Sequence, residues 1–174
     1  PARFVGRETE LNQLHEDLRR ARQGVRQLVF ITGEAGIGKT TLVDEFLRSP
    51  RVRDDGVSVF QGQCVPLQGP REPYMPLLEA LERVLRSPEG APLVPLLQRV
   101  APCWYLQMPS LLSEGERLPL QGETPSRQRE RMLREINTFL EGVSDQRTVV
   151  LVLEDLHWTD TATTDVLSSL AQRP

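Results

Sequence analysis

The stretch Gly33-Glu34-Ala35-Gly36-Ile37-Gly38-Lys39-Thr40, followed by Thr41, decides the reading of this chain. It lies between an apolar run, Gln27-Leu28-Val29-Phe30-Ile31-Thr32, and a segment with Leu42, Val43, Phe46 and Leu47 at helical spacing. The apolar run is expected to be a strand buried on both faces of a parallel sheet, because such strands lack polar alternation. The following segment is expected to be a helix closed by Ser49-Pro50. Glycines let the intervening backbone wrap closely round an anion, with successive N–H groups pointing into the concavity. The next helix presents its positive end to the same place. Gly-x4-Gly-Lys-Thr between strand and helix is the phosphate-loop pattern, and the expected ligand is a nucleoside triphosphate with Mg²⁺. Lys39 is expected to bridge the β- and γ-phosphates, the Thr40 hydroxyl to ligate the metal, and Thr41 to reach the α-phosphate.

Composition fits this reading without adding a second activity. With 174 residues there is room for one cored domain and hardly for two. A net charge of -3 encodes no strong pull toward nucleic acid, so no direct nucleic-acid contact is expected from this segment. The longest apolar stretch, Val149 to Leu153, is far short of the ~20 residues that span a bilayer. No charged-then-apolar leader opens the sequence, so secretion is not expected and the cytoplasm is the default. Cys64 and Cys103 match no metal or redox spacing and are expected to pack as small apolar groups. Lys39 is the only lysine among 21 basic residues, a bias that together with 14 prolines suggests a GC-rich bacterial genome. The lysine that survives stands where a compact ammonium is wanted rather than a planar fork.

Outward from the loop, Leu11, Leu14, Leu18 and Ala21 form one stripe of a helix over 7–22, ended by Gly24. Val57-Ser58-Val59-Phe60 reads as a second strand. Residues 64–122 hold ten of the fourteen prolines and read as a proline-rich helical insertion, with short helices near 74–86 and 92–100. Thr124-Pro125 supplies a capping side chain and a first-turn proline for a helix to about Glu141, with Met132, Leu133, Ile136 and Leu140 inward. A buried strand over 148–153 follows, then a helix capped by Asp160 and carrying Val166, Leu167 and Leu170. Strands alternating with helices predict an α/β fold with a mostly parallel sheet.

A second constellation, Val149-Val150-Leu151-Val152-Leu153-Glu154-Asp155, is an apolar strand ending in acids. Strand burial would fix both carboxylates at its carboxyl end, where open α/β sheets bind ligands. One acid can serve Mg²⁺ and the other polarise an attacking water. Position gives the metal to Glu154 and the water to Asp155, whereas aspartate is the more usual magnesium partner, so both stand as candidate catalytic and metal residues beside Lys39 and Thr40.

Phe4-Val5-Gly6-Arg7-Glu8, the loop Gly33–Thr41, and Leu153-Glu154-Asp155-Leu156-His157-Trp158-Thr159-Asp160 together resemble the bacterial AAA-type ATPase module of large STAND regulators. Such modules occur in LuxR-type transcription activators of the MalT kind and in multidomain adenylate cyclases. The resemblance covers residue 4 to about 172. It implies a P-loop three-layer sandwich, ATP and ADP as ligands, and Val5 and Gly6 approaching the base through backbone. Arg7 would reach the phosphates or pair with Glu8 or Glu10. The resemblance also implies a sensor strand and further C-terminal domains beyond this sequence, so that 1–174 reads as the N-terminal part of an ATPase domain. Without the central strand, open sheet edges would invite self-association. A slowly hydrolysing regulatory switch is the first reading. A DNA-associated motor or loader, which shares a Val-Gly-Arg-Glu start, is the alternative, followed by a small-molecule kinase and a non-hydrolysing nucleotide-binding module. The bland readings are a packing role for His157, a core or interface plug for Trp158, a helix cap for Asp160, and a solvated face for Arg127, Arg129, Arg131 and Arg134 with Glu130 and Glu135 between them.

Overall fold

A computed structural model describes residues 6–53, 56–66, 72–112 and 124–172. The chain divides into two compact units, one reaching to Val57 and the other from Ser58 onward.

In the first unit, α1 (Glu8–Arg22) forms as its apolar stripe predicts, with Leu18 buried. Glu8 and Glu10 stand in its first turn and Arg19, Arg20 and Arg22 in its last, the arrangement that complements the helix dipole. Arg19 donates twice to Glu16, at 2.8 and 2.6 Å, and these bonds pull the Glu16 carboxyl down to about 2. The second helix, α2 (Lys39–Arg48), packs against α1 through Leu42 and Phe46, and the His15 and Phe46 rings lie 5.4 Å apart. The expected strand over 27–32 is not there. Residues 25–34 carry no regular secondary structure, and Leu28, Val29 and Phe30 are exposed, Phe30 by 67%. An apolar run becomes a strand only when a neighbour completes its hydrogen-bond ladder. The sheet of the described residues is formed by two other segments.

Those segments are β1 (Val57–Gln63), which lies in the second unit from Ser58 on, and β2 (Thr148–Glu154) of the same unit. Cys64 N donates to Glu154 O at 3.0 Å, so the carboxyl ends of the two strands coincide and the pair is parallel. The fold is therefore α/β with a parallel sheet. Ser58, Phe60 and Gly62 of β1 are buried and the residues between them are not, the period-two pattern of a one-sided strand. A Cβ on Gly62 would come within 2.0 Å of the Pro76 carbonyl oxygen, which lets α3 (Met75–Leu85) start directly against the strand. Every residue of β2 is half-buried, rather than buried on both faces as expected, with Val149, Leu151 and Leu153 turned to the core. Full burial requires a layer on both faces of a sheet, and these three side chains pack on one.

The core is completed by α4 (Val94–Val100), α5 (Pro102–Tyr105), α6 (Pro125–Ser144) and α7 (Thr161–Gln172). The predicted helices near 74–86, 92–100 and from 125 are thus present. Pro125 takes the first helical position, but the Thr124 side chain makes no capping bond to the backbone and instead meets the Ser126 hydroxyl at 3.3 Å. Trp104, Leu97, Met132, Ile136, Phe139 and Val143 are essentially inaccessible, and the Trp104 indole N–H donates to Met132 O at 2.8 Å. Both cysteines are buried, as expected. The arginine-rich face of α6 is not merely solvated: Glu135 is buried, accepts from Cys103 N at 2.8 Å at the start of α5, and receives Arg131 Nε at 2.8 Å. A carboxylate that caps a neighbouring helix has to leave the solvent, and the arginine offsets its charge. Arg129 pairs with Asp165 across to α7. Among the described residues no helix is long and apolar enough to cross a membrane.

Candidate functional site

The glycine loop adopts the backbone its composition demands. Gly36 (φ 79°) and Gly38 (φ 91°) lie in the left-handed region, and a Cβ at either would meet nothing within 4 Å. The constraint is therefore conformational, and both glycines border open space into which backbone amides can be offered. Gly38 is the N-cap of α2, so the first turn of that helix opens from the loop. Its carbonyl accepts Leu42 N at 3.0 Å. The Lys39 ammonium folds back over the loop and donates to Gly33 O and Glu34 O, both at 2.9 Å. Thr40 and Thr41 occupy the exposed first turn of α2. These features fit an anionic, phosphate-bearing ligand: open space at Gly36 and Gly38, the N-terminus of a ten-residue helix, and an ammonium that already seeks oxygen.

Of the base-side residues, Gly6 is described, with φ 83°, and Val5 lies outside the described residues. Arg7 takes the ion-pair option, donating to Glu10 Oε1 at 2.8 Å, and its other terminal nitrogen reaches Ile37 O of the loop at 3.3 Å. The sequence offered no sign of this second contact, which spans thirty positions.

Glu154 and Asp155 belong to the second unit, where β1 supplies a partner for each. Gln61 Nε2 donates to Glu154 Oε1 at 3.0 Å, and Gln63 Nε2 donates to Asp155 Oδ2 at 3.3 Å. The glutamines were missed, although their signal was available: Gln61 and Gln63 continue the alternation of Val57 and Val59 past the point where the strand was expected to stop. Glu154 is half-buried and Asp155 exposed. Asp155 also holds a left-handed backbone (φ 55°, ψ 42°), sparsely populated by residues other than glycine and tolerated best by Asp and Asn. That turn carries the chain from β2 into the short helical turn Leu156–Trp158.

Asp160 is a helix cap, as read: its carboxylate accepts Thr163 N at 2.9 Å and Thr163 Oγ1 at 2.6 Å. It also accepts the Tyr74 amide at 3.4 Å. The His157 and Trp158 rings lie 5.0 Å apart, tilted by 47°, and Trp158 is 40% exposed, which removes the core option for it.

Residues 3–174 match the family described as AAA ATPase domain, and the chain belongs to that family. It is also similar to an uncharacterized protein of Rhizobium meliloti (strain 1021), 31% identical over 179 residues. That match covers 97% of this chain and 17% of the relative's length. No solved structure matches the chain.

Proposed function

We propose that this chain is an ATP-binding switch module of a multidomain bacterial signalling or transcription-regulatory ATPase. The observation that carries it is the loop at 33–40, where two left-handed glycines, an opening helix and a lone lysine converge on one concavity. Magnesium and ATP would supply a cleavable phosphoanhydride and the charge that draws its oxygens together. Amides of Gly33 to Thr41 would cradle the phosphates, Lys39 would leave its carbonyl partners for the β- and γ-oxygens, and Thr40 would offer its hydroxyl to the metal. Val5 and Gly6 would approach the base through backbone, as the family resemblance implies. Glu154 would serve the metal and Asp155 would orient water, each with a glutamine amide fixing one carboxylate oxygen.

The regulatory role draws on the resemblance of residues 153–160 to the STAND pattern. The extension Leu156-His157-Trp158 forms a compact turn anchored on both sides, by Asp155 O accepting Trp158 N at 2.9 Å and by the Asp160 cap. In a switch, ATP and ADP states differ in what that anchored turn touches.

Calorimetric binding of Mg-ATP and Mg-ADP to the wild type and to Lys39→Ala tests the grip. The ammonium's loss is expected to weaken triphosphate binding by roughly 2–4 kcal/mol. Unchanged affinity would sink the phosphate-loop reading. Asp155→Asn should bind normally and turn over more slowly; weakened magnesium-dependent binding instead would transfer the metal role to Asp155.

A further inference from the structure

The peptide joining Ile37 to Gly38 is planar and trans, so its carbonyl and its N–H point in opposite directions. Whatever holds Ile37 O therefore aims the Gly38 amide the other way. The residue that holds it is Arg7, whose Nη2 donates to Ile37 O at 3.3 Å while Nη1 is fixed on Glu10 at 2.8 Å. The far side of Gly38 is pinned as well, because its carbonyl accepts Leu42 N at 3.0 Å. Gly38 has no side chain to restrict it and sits at φ 91°, so these two bonds define its orientation. Lys39 also holds loop carbonyls, at Gly33 and Glu34, but it is the group that must leave them to meet a phosphate. Arg7 comes from outside the loop and has no such second duty.

We propose that Arg7 is a positioning residue of the phosphate loop: it aims the Gly38 amide into the cradle by holding the Ile37 carbonyl, and it touches no phosphate itself. This rests on the nucleotide-binding reading given above. A forked guanidinium suits the task, since its two terminal nitrogens meet two acceptors at a fixed angle, whereas an ammonium engages one at a time with less geometric control. Glu10 serves as the guide for that fork, and the ion pair draws the Glu10 carboxyl below its ordinary range.

The test follows two NMR signals in the nucleotide-free chain, the Ile37 carbonyl ¹³C and the Gly38 amide ¹⁵N–¹H, together with calorimetric affinities for Mg-ADP, Mg-ATP and magnesium pyrophosphate. Arg7→Ala should move both signals and lower all three affinities by a similar factor, about tenfold for the loss of one charge-assisted orienting bond. Arg7→Lys should recover part of both effects, and it supplies the same comparison should Arg7→Ala fail to fold. Glu10→Gln should lose less than Arg7→Ala.

Unmoved resonances would overturn the proposal. So would a loss confined to Mg-ATP, which would mean a direct γ-phosphate contact. Equal losses in Glu10→Gln and Arg7→Ala would also overturn it, reducing the arginine to a helix anchor. If the wild type bound none of the three ligands, the functional reading would fall, and the two resonances would still decide whether Arg7 directs the Gly38 amide.

Discussion

The phosphate loop and the acid pair are held under opposite conditions within the units they belong to. Glu154 ends a strand of a unit cored by Trp104, Phe60, Phe139, Met132 and Leu97, and both acids are hydrogen-bonded by glutamines of the adjacent strand. The loop belongs to a unit whose buried apolar residues include Leu18, Leu42, Phe46 and Val52, while Val25, Leu28, Val29 and Phe30 remain exposed just ahead of it. The acid pair follows a strand packed on a core and is held by two glutamine amides, whereas the loop is held by the tethers of Lys39 to Gly33 and Glu34 and of Arg7 to Ile37. A grip that must close round a ligand is better served by tethers that exchange than by a packed core, and local stability commonly divides this way at binding loops.

Core truncation sharpens that contrast most. Trp104→Ala should lower the stability of the second unit by about 3–5 kcal/mol, since it empties a large site and strands Met132 O without its indole donor. Hydrogen exchange should accelerate through α5 and α6 and leave α1 and α2 unchanged. Phe46→Ala should act in the opposite compartment, with a loss toward the low end of the same range, about 3 kcal/mol, because its ring is slightly exposed. Exchange that rose equally in both units in either variant would break the comparison and join them into one cooperative block.

A smaller effect probes the strained turn after β2. Asp155→Asn keeps a side chain suited to the left-handed region and should leave stability within about 0.5 kcal/mol of the wild type. Asp155→Ala should cost about 1–2 kcal/mol in backbone strain, on top of losing the bond from Gln63. Equal denaturation midpoints for the two variants would show that the φ of 55° stores no strain.

Legibility followed the same division. The helices of the second unit and its acid strand were readable because their apolar spacing is satisfied within their own unit, as at Met132, Ile136 and Leu140 of α6. The loop was readable because Gly36 and Gly38 are demanded by backbone geometry, independently of packing. The strand at 27–32 was misread because a strand is a property of a pair, and composition at Leu28, Val29 and Phe30 reports only the willingness to be buried. Buried Glu135 escaped because charge interleaving along α6 looks the same whether an acid faces water or a neighbouring amide. Gln61, Gln63 and the Arg7 contact with Ile37 escaped for a related reason: each depends on where a second segment lies, and no local spacing encodes that.

The gentlest way to separate the units is by pH, through His15. Its ring lies against Phe46, its Nδ1 is buried without a hydrogen-bond partner, and burial followed by the charge of Arg51 pushes its pKa below the ordinary histidine value. The folded first unit therefore prefers the neutral imidazole. Above the unfolded pKa of about 6.5 both states are neutral and His15 contributes no pH dependence. As pH falls below that value the unfolded chain takes up the proton first, and stability drops until the folded pKa is passed. Protection of the α1 and α2 amides, taken relative to their intrinsic exchange rates at each pH, should thus fall as pH drops below about 6.5, with no matching change traceable to this group in the second unit. His15→Phe keeps an aromatic partner for Phe46 and should remove that slope. A slope that survived the substitution would assign the acid sensitivity to carboxylates such as Glu10 and Glu16, whose folded-state pKa values are held low by Arg7 and Arg19. Their contribution is lost at lower pH, as each carboxylate titrates through its depressed folded value, so the position of the slope on the pH axis tells the two causes apart.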